Sequence, residues 1–329
     1  MASGNPETRA LAPNLQPLRA GDPAQLGHYE ILGRLGAGGM GIAYLGQGPD
    51  DLVVVKVLNA LADLDKGTIG RLERELEAMR LAATDRTVYL RDHDLSHDPP
   101  WFAMDFVPGP TLKALVEGGH TLTQDAIKPF ALDLALAIAD IHSAGVIHRD
   151  LKPSNVILSK PHARIIDFGV AATEGGTMLT KTGQIMGTMG WLAPEQISAD
   201  IFSEATDVHA WGLCVFYAAN GFNPYEAATP GASMFRILND RPDVLQGVPD
   251  SVAALVDAAL AKEPTARPSL NAIVEQLASD RGEIHRGTVI PDATAAPVAR
   301  RGRRALVVAS VVAVGMGILL GYLTAQSFI

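Results

Sequence analysis

His148, Arg149, Asp150, Lys152 and Asn155 fall within eight consecutive positions of VIHRDLKPSNVIL (146–158), between two apolar flanks. Charged groups at the edge of a core are costly unless they meet partners, a metal or a substrate. The rest of the chain supplies candidates. In RIIDFGVA (164–171), Asp167 ends an apolar run before a Phe-Gly turn. With Asn155 it offers hard oxygen donors suited to Mg²⁺. In LGAGGMGIAYLG, Gly36, Gly38 and Gly41 follow the pattern G-x-G-x-x-G, which dinucleotide-binding folds and ordinary tight turns also produce. The strand-like runs IAYLGQG and LVVVKVL that follow argue for a β-hairpin with a glycine tip rather than a strand–glycine–helix unit. Backbone N–H groups at such a tip approach a phosphate with no Cβ in the way. Lys56 lies on the next strand, where it could reach that phosphate; a snorkelling surface lysine is the alternative. Its carboxylate partner would be Glu73, Glu75 or Glu77 on a helix expected at 71–83. Alternate positions of a helix face different ways, so a solvated role accounts for two of the three.

The elements that must position these groups are legible in outline. The 329 residues are 47% hydrophobic and 19% charged, enough for one large domain or two smaller ones. A net charge of −9 and a pI near 5.4 lack the basic balance of a nucleic-acid binder, so no nucleic-acid partner is expected. The single cysteine, Cys214, excludes an internal disulfide and reads as a small core residue in WGLCVFYAA. Residues 1–26 are rich in Pro and Ala without periodicity and read as a disordered or loosely attached tail. From Tyr29 to about Val107 short β-like runs dominate; from Thr111 onward helical patterns take over. Ile127, Phe130, Leu134, Ile138 and Ile141 recur at helix spacing, and Gly145 ends the run. A small β-rich part followed by a larger helical one predicts an α+β fold of two lobes.

Further on, GTMGWLAPEQ contains Ala193-Pro194-Glu195. With these motifs in order, the chain from about Tyr29 to about Leu277 resembles the eukaryotic-like (Hanks-type) Ser/Thr protein kinases, especially the bacterial membrane-anchored ones. The resemblance implies a bilobal kinase domain at 27–282, with an N-lobe at 27–107 and a C-lobe at 108–282. It implies ATP and Mg²⁺, or Mn²⁺ in its place, as cofactors, and proteins as substrates. Leu35, Gly36, Ala37, Gly38, Gly39, Met40 and Gly41 would cover the ATP phosphates, with Ala43 beside the adenine. Lys56 would contact the α- and β-phosphates and pair with Glu75, or with Glu73. Met104 would be the gatekeeper, and Asp105 to Val107 the hinge. Asp150 would be the catalytic base and Lys152 the stabiliser of the transferring phosphoryl. Asn155 and Asp167 would hold the metal. Asp207 would brace the His148–Arg149 turn, and Glu195 would pair with Arg267. Thr180 and Thr182 sit where related kinases autophosphorylate, facing a phosphate-binding Arg149; solvated loop threonines are the alternative. Thr188 matches the substrate-positioning threonine. The chain departs from the pattern at Ala43, where the family has Val, and at AATDRTVYLRDHD, where the family has a His-Pro pair.

After about Asp280 the composition shifts to a linker at 283–304 that ends in Arg300, Arg301, Arg303 and Arg304. The stretch 305–323 carries no charge and has the length of a bilayer-spanning helix. The flanking arginines predict a kinase domain on the cytoplasmic side, a single-pass anchor in the cell membrane, and an extracytoplasmic tail at 324–329. Ala309, Ala313, Gly317 and Gly321 recur at every fourth position, a small-residue face suited to pairing two membrane helices. A homodimer through that face or through the kinase domain is one reading; the alternative is that Gly and Ala are simply frequent in membrane helices. The sequence thus reads as a membrane-anchored Ser/Thr protein kinase activated by autophosphorylation. The alternatives are a membrane-anchored pseudokinase or nucleotide-binding scaffold, against which the intact Lys56, Asp150, Asn155 and Asp167 argue, and a small-molecule kinase, against which GTMGWLAPE argues.

Overall fold

The structure of the chain, a computed structural model, describes residues 11–12, 15–38, 41–58, 66–167, 189–243 and 245–279. All elements are counted among these. A first unit covers Met1–Ala296 and a second Pro297–Ile329. The second unit and the linker at 283–304 lie outside the described residues, and with them the apolar stretch 305–323. Among the described residues no helix is long and apolar enough to cross a membrane.

The N-terminal lobe is an antiparallel sheet of β1 (Gln25–Leu26), β2 (Tyr29–Gly38), β3 (Gly41–Gln47), β4 (Leu52–Leu58), β5 (Leu90–Asp94) and β6 (Trp101–Asp105), in the order β1-β2-β3-β4-β6-β5. Side chains alternate between the two faces of a strand, and β4 shows the consequence. Val53, Val55 and Val57 join Tyr29, Ile31, Tyr44 and Trp101 in a small outer core. Val54 and Lys56 face the other way. The expected helix is α1 (Lys66–Leu81), longer at its start than the charged run suggested. Leu72, Leu76 and Met79, spaced by four and three, bury one stripe of it in the main core. Glu73 and Glu77 are exposed, whereas Glu75 is half-buried.

The second lobe is helical: α2 (Leu112–Glu117), α3 (Gln124–Ser143), α4 (Pro194–Ala199), α5 (Glu204–Asn220), α6 (Pro230–Asn239), α7 (Asp250–Ala259) and α8 (Leu270–Ser279). The short hairpin of β7 (Val156–Leu158) and β8 (Ala163–Ile165) interrupts them. Ile127, Phe130, Leu134, Ile138 and Ile141 are all buried, as their spacing predicted. Gly145, at φ +76°, lies just past the end of α3, where a left-handed residue stops a helix. Cys214 is buried on α5, and burial pushes its thiol up, out of reactive range. The indole of Trp211 donates to the carbonyl of Ala131 at 2.9 Å, tying α5 to α3.

One expectation needs correction. Within the tail expected at 1–26 to be disordered or loosely attached, residues 15–26 are ordered and lie along the sheet. Gln16 exchanges two backbone hydrogen bonds with Arg34, at 2.8 and 2.9 Å, and Leu26 on β1 is buried. Low periodicity misled the reading, because this segment is fixed by single polar contacts and an edge-strand pairing rather than by a repeating apolar face.

Candidate active site

The polar cluster at 148–155 lies between the end of α3 and β7, and tertiary contacts satisfy it from below. Asp207, on the first turn of α5 and only 1% exposed, accepts the backbone N–H of His148 at 2.7 Å and that of Arg149 at 3.0 Å. The same carboxylate meets His142 Nε2 at 2.8 Å. These bonds hold Arg149 at φ +67°, a left-handed conformation that a long side chain adopts only when its surroundings impose it. The backbone reversal there presents Asp150. Burial pushes the His148 imidazole below its ordinary range despite the nearby carboxylates of Asp207 and Asp150. It is a neutral structural ring.

Asp150 and Lys152 meet directly, with Lys152 Nζ 2.6 Å from Asp150 Oδ2. Asn155, nearly buried, donates from its side-chain amide to the Asp150 carbonyl at 2.9 Å. The register of the β7–β8 hairpin, Val156 opposite Ile165, then explains why Asn155 and Asp167 are neighbours although twelve positions separate them. Asn155 precedes one strand and Asp167 follows the other, and the Ile166 N–H donates to the Asn155 carbonyl at 2.9 Å. Asp167 itself has φ +56°.

From the other lobe, Lys56 Nζ reaches Asp167 Oδ1 at 2.8 Å and lies 5.9 Å from the centre of the Phe102 ring. Lys56 is therefore no snorkelling surface residue. Among the described residues, no ion pair joins it to Glu75 or Glu73. The glycine tip is a hairpin as expected: β2 and β3 pair up to Gly38 opposite Gly41, and Ala43 stands opposite Lys56. A Cβ on Gly36 or Gly38 would meet nothing within 4 Å, so backbone and open space face each other there. Leu35 and Ala37 belong to the same hairpin; Gly39 and Met40 lie outside the described residues. Met104 on β6 is buried opposite Val54, and Asp105 is tied to Arg91 by an ion pair just before Val107.

Asn155 and Asp167 offer an amide oxygen and a carboxylate, hard donors that fit Mg²⁺. Among the described residues no group of three or more His, Cys, Asp or Glu side chains could hold a metal alone. That donor set suits an ion completing its shell from phosphate oxygens and water. Behind the site, Arg267 pairs with Glu195 through two bonds of 2.7 and 2.8 Å, both side chains being buried. Thr180, Thr182 and Thr188 lie outside the described residues.

Four participants escaped the sequence reading. Gln196 accepts from the Ala193 N–H at 2.7 Å and donates to the Arg149 carbonyl at 3.0 Å, linking α4 to the catalytic turn. Its place three residues after Ala193, as in a capping box, was the available signal. His142 reaches Asp207, and the Arg149 guanidinium lies 5.7 Å from the centre of the Phe202 ring. Thr84, in the stretch that departs from the family pattern, donates to Asp140 on α3 at 2.9 Å and fastens the end of α1 to the other lobe.

A two-lobed fold with a glycine hairpin above, paired Lys and Asp side chains between the lobes and a buried Asp-braced turn below is the architecture of the protein kinase class. Comparison with known proteins gives the same answer: residues 29–277 match the protein kinase domain, and the chain belongs to that family. It is 37% identical over 268 residues to "Probable serine/threonine-protein kinase PkwA" of Thermomonospora curvata, covering 81% of this chain and 36% of that protein. It is 36% identical over 259 residues to serine/threonine-protein kinase AfsK of Streptomyces coelicolor, covering 78% and 32%. It is 35% identical over 252 residues to AfsK of Streptomyces griseus, covering 75% and 31%. The chain spans about a third of the length of these curated relatives.

Proposed function

We propose that this chain is a Ser/Thr protein kinase that transfers the γ-phosphoryl group of ATP to hydroxyls of protein substrates. The observation that carries the reading is the convergence of Lys56, Asp150, Lys152, Asn155 and Asp167 in one cleft, linked by bonds of 2.6 to 2.9 Å. Phosphoryl transfer asks little covalent chemistry of the protein and much positioning and charge stabilisation. Asp150 orients the attacking hydroxyl and accepts its proton. Lys152 places a cation beside that carboxylate, where negative charge is carried across. Lys56 exchanges Asp167 for phosphate oxygens when nucleotide binds, and Glu75, half-buried on α1, is the helix carboxylate proposed to pair with it there. Asn155 and Asp167 would hold Mg²⁺, which would supply charge neutralisation to the phosphates.

Regulation belongs to the same reading. Phosphorylation of Thr180 or Thr182 would supply a dianion able to form charge-assisted hydrogen bonds with Arg149, beside the catalytic base. The uncharged stretch 305–323, preceded by four arginines, supports a single membrane anchor with the catalytic unit on the cytoplasmic side. The face of Ala309, Ala313, Gly317 and Gly321 supports pairing of two such anchors.

The test is autophosphorylation of the full chain with labelled ATP and Mg²⁺, beside Lys56→Met and Asp150→Asn, with sites mapped by mass spectrometry. Label on Thr180 or Thr182 that both substitutions abolish is the expected result. A folded, nucleotide-binding protein that incorporates no label, alone or in membranes, would make it a nucleotide-binding scaffold. Extraction of membranes with alkaline carbonate tests the anchor: release of the full chain would overturn it.

A further inference from the structure

The segment at 15–26 precedes the residues that match the kinase family, yet it grips the strands that carry the glycine tip. Asp22 is the centre of that grip. Its side chain is 3% exposed and collects four donors: Arg34 Nε at 2.7 Å, Arg34 Nη2 at 2.5 Å, the Tyr44 hydroxyl at 2.9 Å and the Arg19 N–H at 2.7 Å. Arg34 is on β2 and Tyr44 on β3, directly opposite each other in the hairpin. The next pair toward the tip is Gly36 with Ala43, and Ala43 is level with Lys56. At Gly33 the approach is so close that a Cβ would come within 2.7 Å of the Gln16 carbonyl and 2.9 Å of Leu15. Beyond the clamp, among the described residues, nothing lies within 4 Å of where a side chain would begin at Gly36. The two strands of the hairpin are thus pinned together behind the glycine tip.

We propose that residues 15–26 form a strap whose Asp22 is a positioning residue for nucleotide binding, setting the angle at which strands β2 and β3 approach the phosphates. The physical reason is leverage. A glycine tip contributes little rigidity of its own, so its orientation is fixed by whatever holds the two strands behind it. Asp22 holds both at once through a doubly hydrogen-bonded ion pair and a tyrosine bond, interactions that are strong and directional when shielded from water. The Arg34 guanidinium beside it holds the Asp22 carboxyl well below the usual carboxylate range, so the clamp is charged throughout the physiological range.

This inference rests on the kinase reading, and one titration separates the two. Binding of ATP with Mg²⁺, and of adenosine, is measured by calorimetry on the full chain and on Asp22→Ala, Asp22→Glu and Tyr44→Phe. We expect Asp22→Ala to weaken ATP about tenfold while adenosine binds as before, because only the phosphates depend on the tip. Asp22→Glu recovers most of the affinity, and Tyr44→Phe gives a smaller loss in the same direction. Unchanged ATP affinity in Asp22→Ala, or an equal loss for adenosine, overturns the strap while leaving the kinase reading intact. Wild-type protein that binds no ATP overturns both. Should Asp22→Ala fail to fold, Tyr44→Phe and Asp22→Glu decide by the same criterion.

Discussion

Lys56 and Asp167 stand 111 positions apart in the chain and 2.8 Å apart in the fold, one from each lobe, and they form an ion pair across the cleft. In the proposed reaction each group is needed elsewhere when nucleotide binds, Lys56 by phosphate and Asp167 by the metal. The pair is therefore a competitor of nucleotide binding. Asp167→Asn frees Lys56 and removes a negative charge facing the phosphates. In EDTA this variant is expected to bind ATP about 2- to 5-fold more tightly than wild type, the worth of one partly exposed ion pair. With Mg²⁺ its phosphoryl transfer is lost. Calorimetry in EDTA and a transfer assay check the two halves; weaker binding in EDTA would show that the pair helps to build the site.

Gly41 and Gly36 serve different ends. Gly41 has φ +152°, and a Cβ there would sit 2.0 Å from the Val57 carbonyl. Gly41→Ala forces β3 away from β4, so both thermal stability and ATP affinity fall. Gly36→Ala meets nothing within 4 Å and changes stability by less than about 0.5 kcal/mol. Thermal melts with and without ATP distinguish the two.

Breaking the Glu195–Arg267 pair leaves a buried charge without its counter-ion. Arg267→Met strands Glu195 with only the Thr206 hydroxyl, at 3.1 Å, and also removes the guanidinium bonds to the carbonyls of Ala205, Ala261 and Lys262. The expected loss is about 3–5 kcal/mol in denaturant unfolding. The double variant with Glu195→Gln recovers part of that loss, since the stranded charge is gone.

Acid sensitivity follows from two buried imidazoles. Burial lowers His148, and it lowers His209 well below its ordinary range, with Arg267 and Lys262 adding to the effect at His209. Near pH 6.5 the unfolded chain takes up protons at these sites and the folded chain does not. Their contribution to stability is therefore present above pH 6.5 and is lost as the pH falls below it, at a slope of at most about 1.4 kcal/mol per pH unit for each ring until that ring protonates in the folded chain. His209 has neither ring nitrogen hydrogen-bonded among the described residues and stacks on Tyr225. His209→Phe should keep the fold at neutral pH within about 1.5 kcal/mol and reduce the slope between pH 6.5 and about 5 by one ring's share. Urea titrations at several pH values measure this directly.

Much of the site was legible because its parts are local. The hairpin behind Gly36–Gly41 follows from two alternating apolar runs around a glycine cluster, and α3 follows from five apolar positions at helical spacing. Lys56 on its strand, and Asp150, Lys152 and Asn155 on one loop, needed no tertiary information to be grouped. Residues 15–26 were misread because an edge pairing and one buried carboxylate leave no periodic trace. Gln196, His142, Phe202 and Thr84 act through partners tens of residues away, and nothing in their own neighbourhoods marked those partners.

The sequence by itself determined the inventory of the cleft and the order of strands and helices around it, since backbone periodicity and burial act over a few residues. Tertiary structure decided which carboxylate Lys56 meets. Glu73, Glu75 and Asp167 all offered the same charge, and Coulomb attraction falls with distance and solvent exposure, quantities fixed only when the lobes pack. The same reason places Asp22 against Arg34 and Tyr44: a buried ion pair depends on three-dimensional neighbours that no local pattern records.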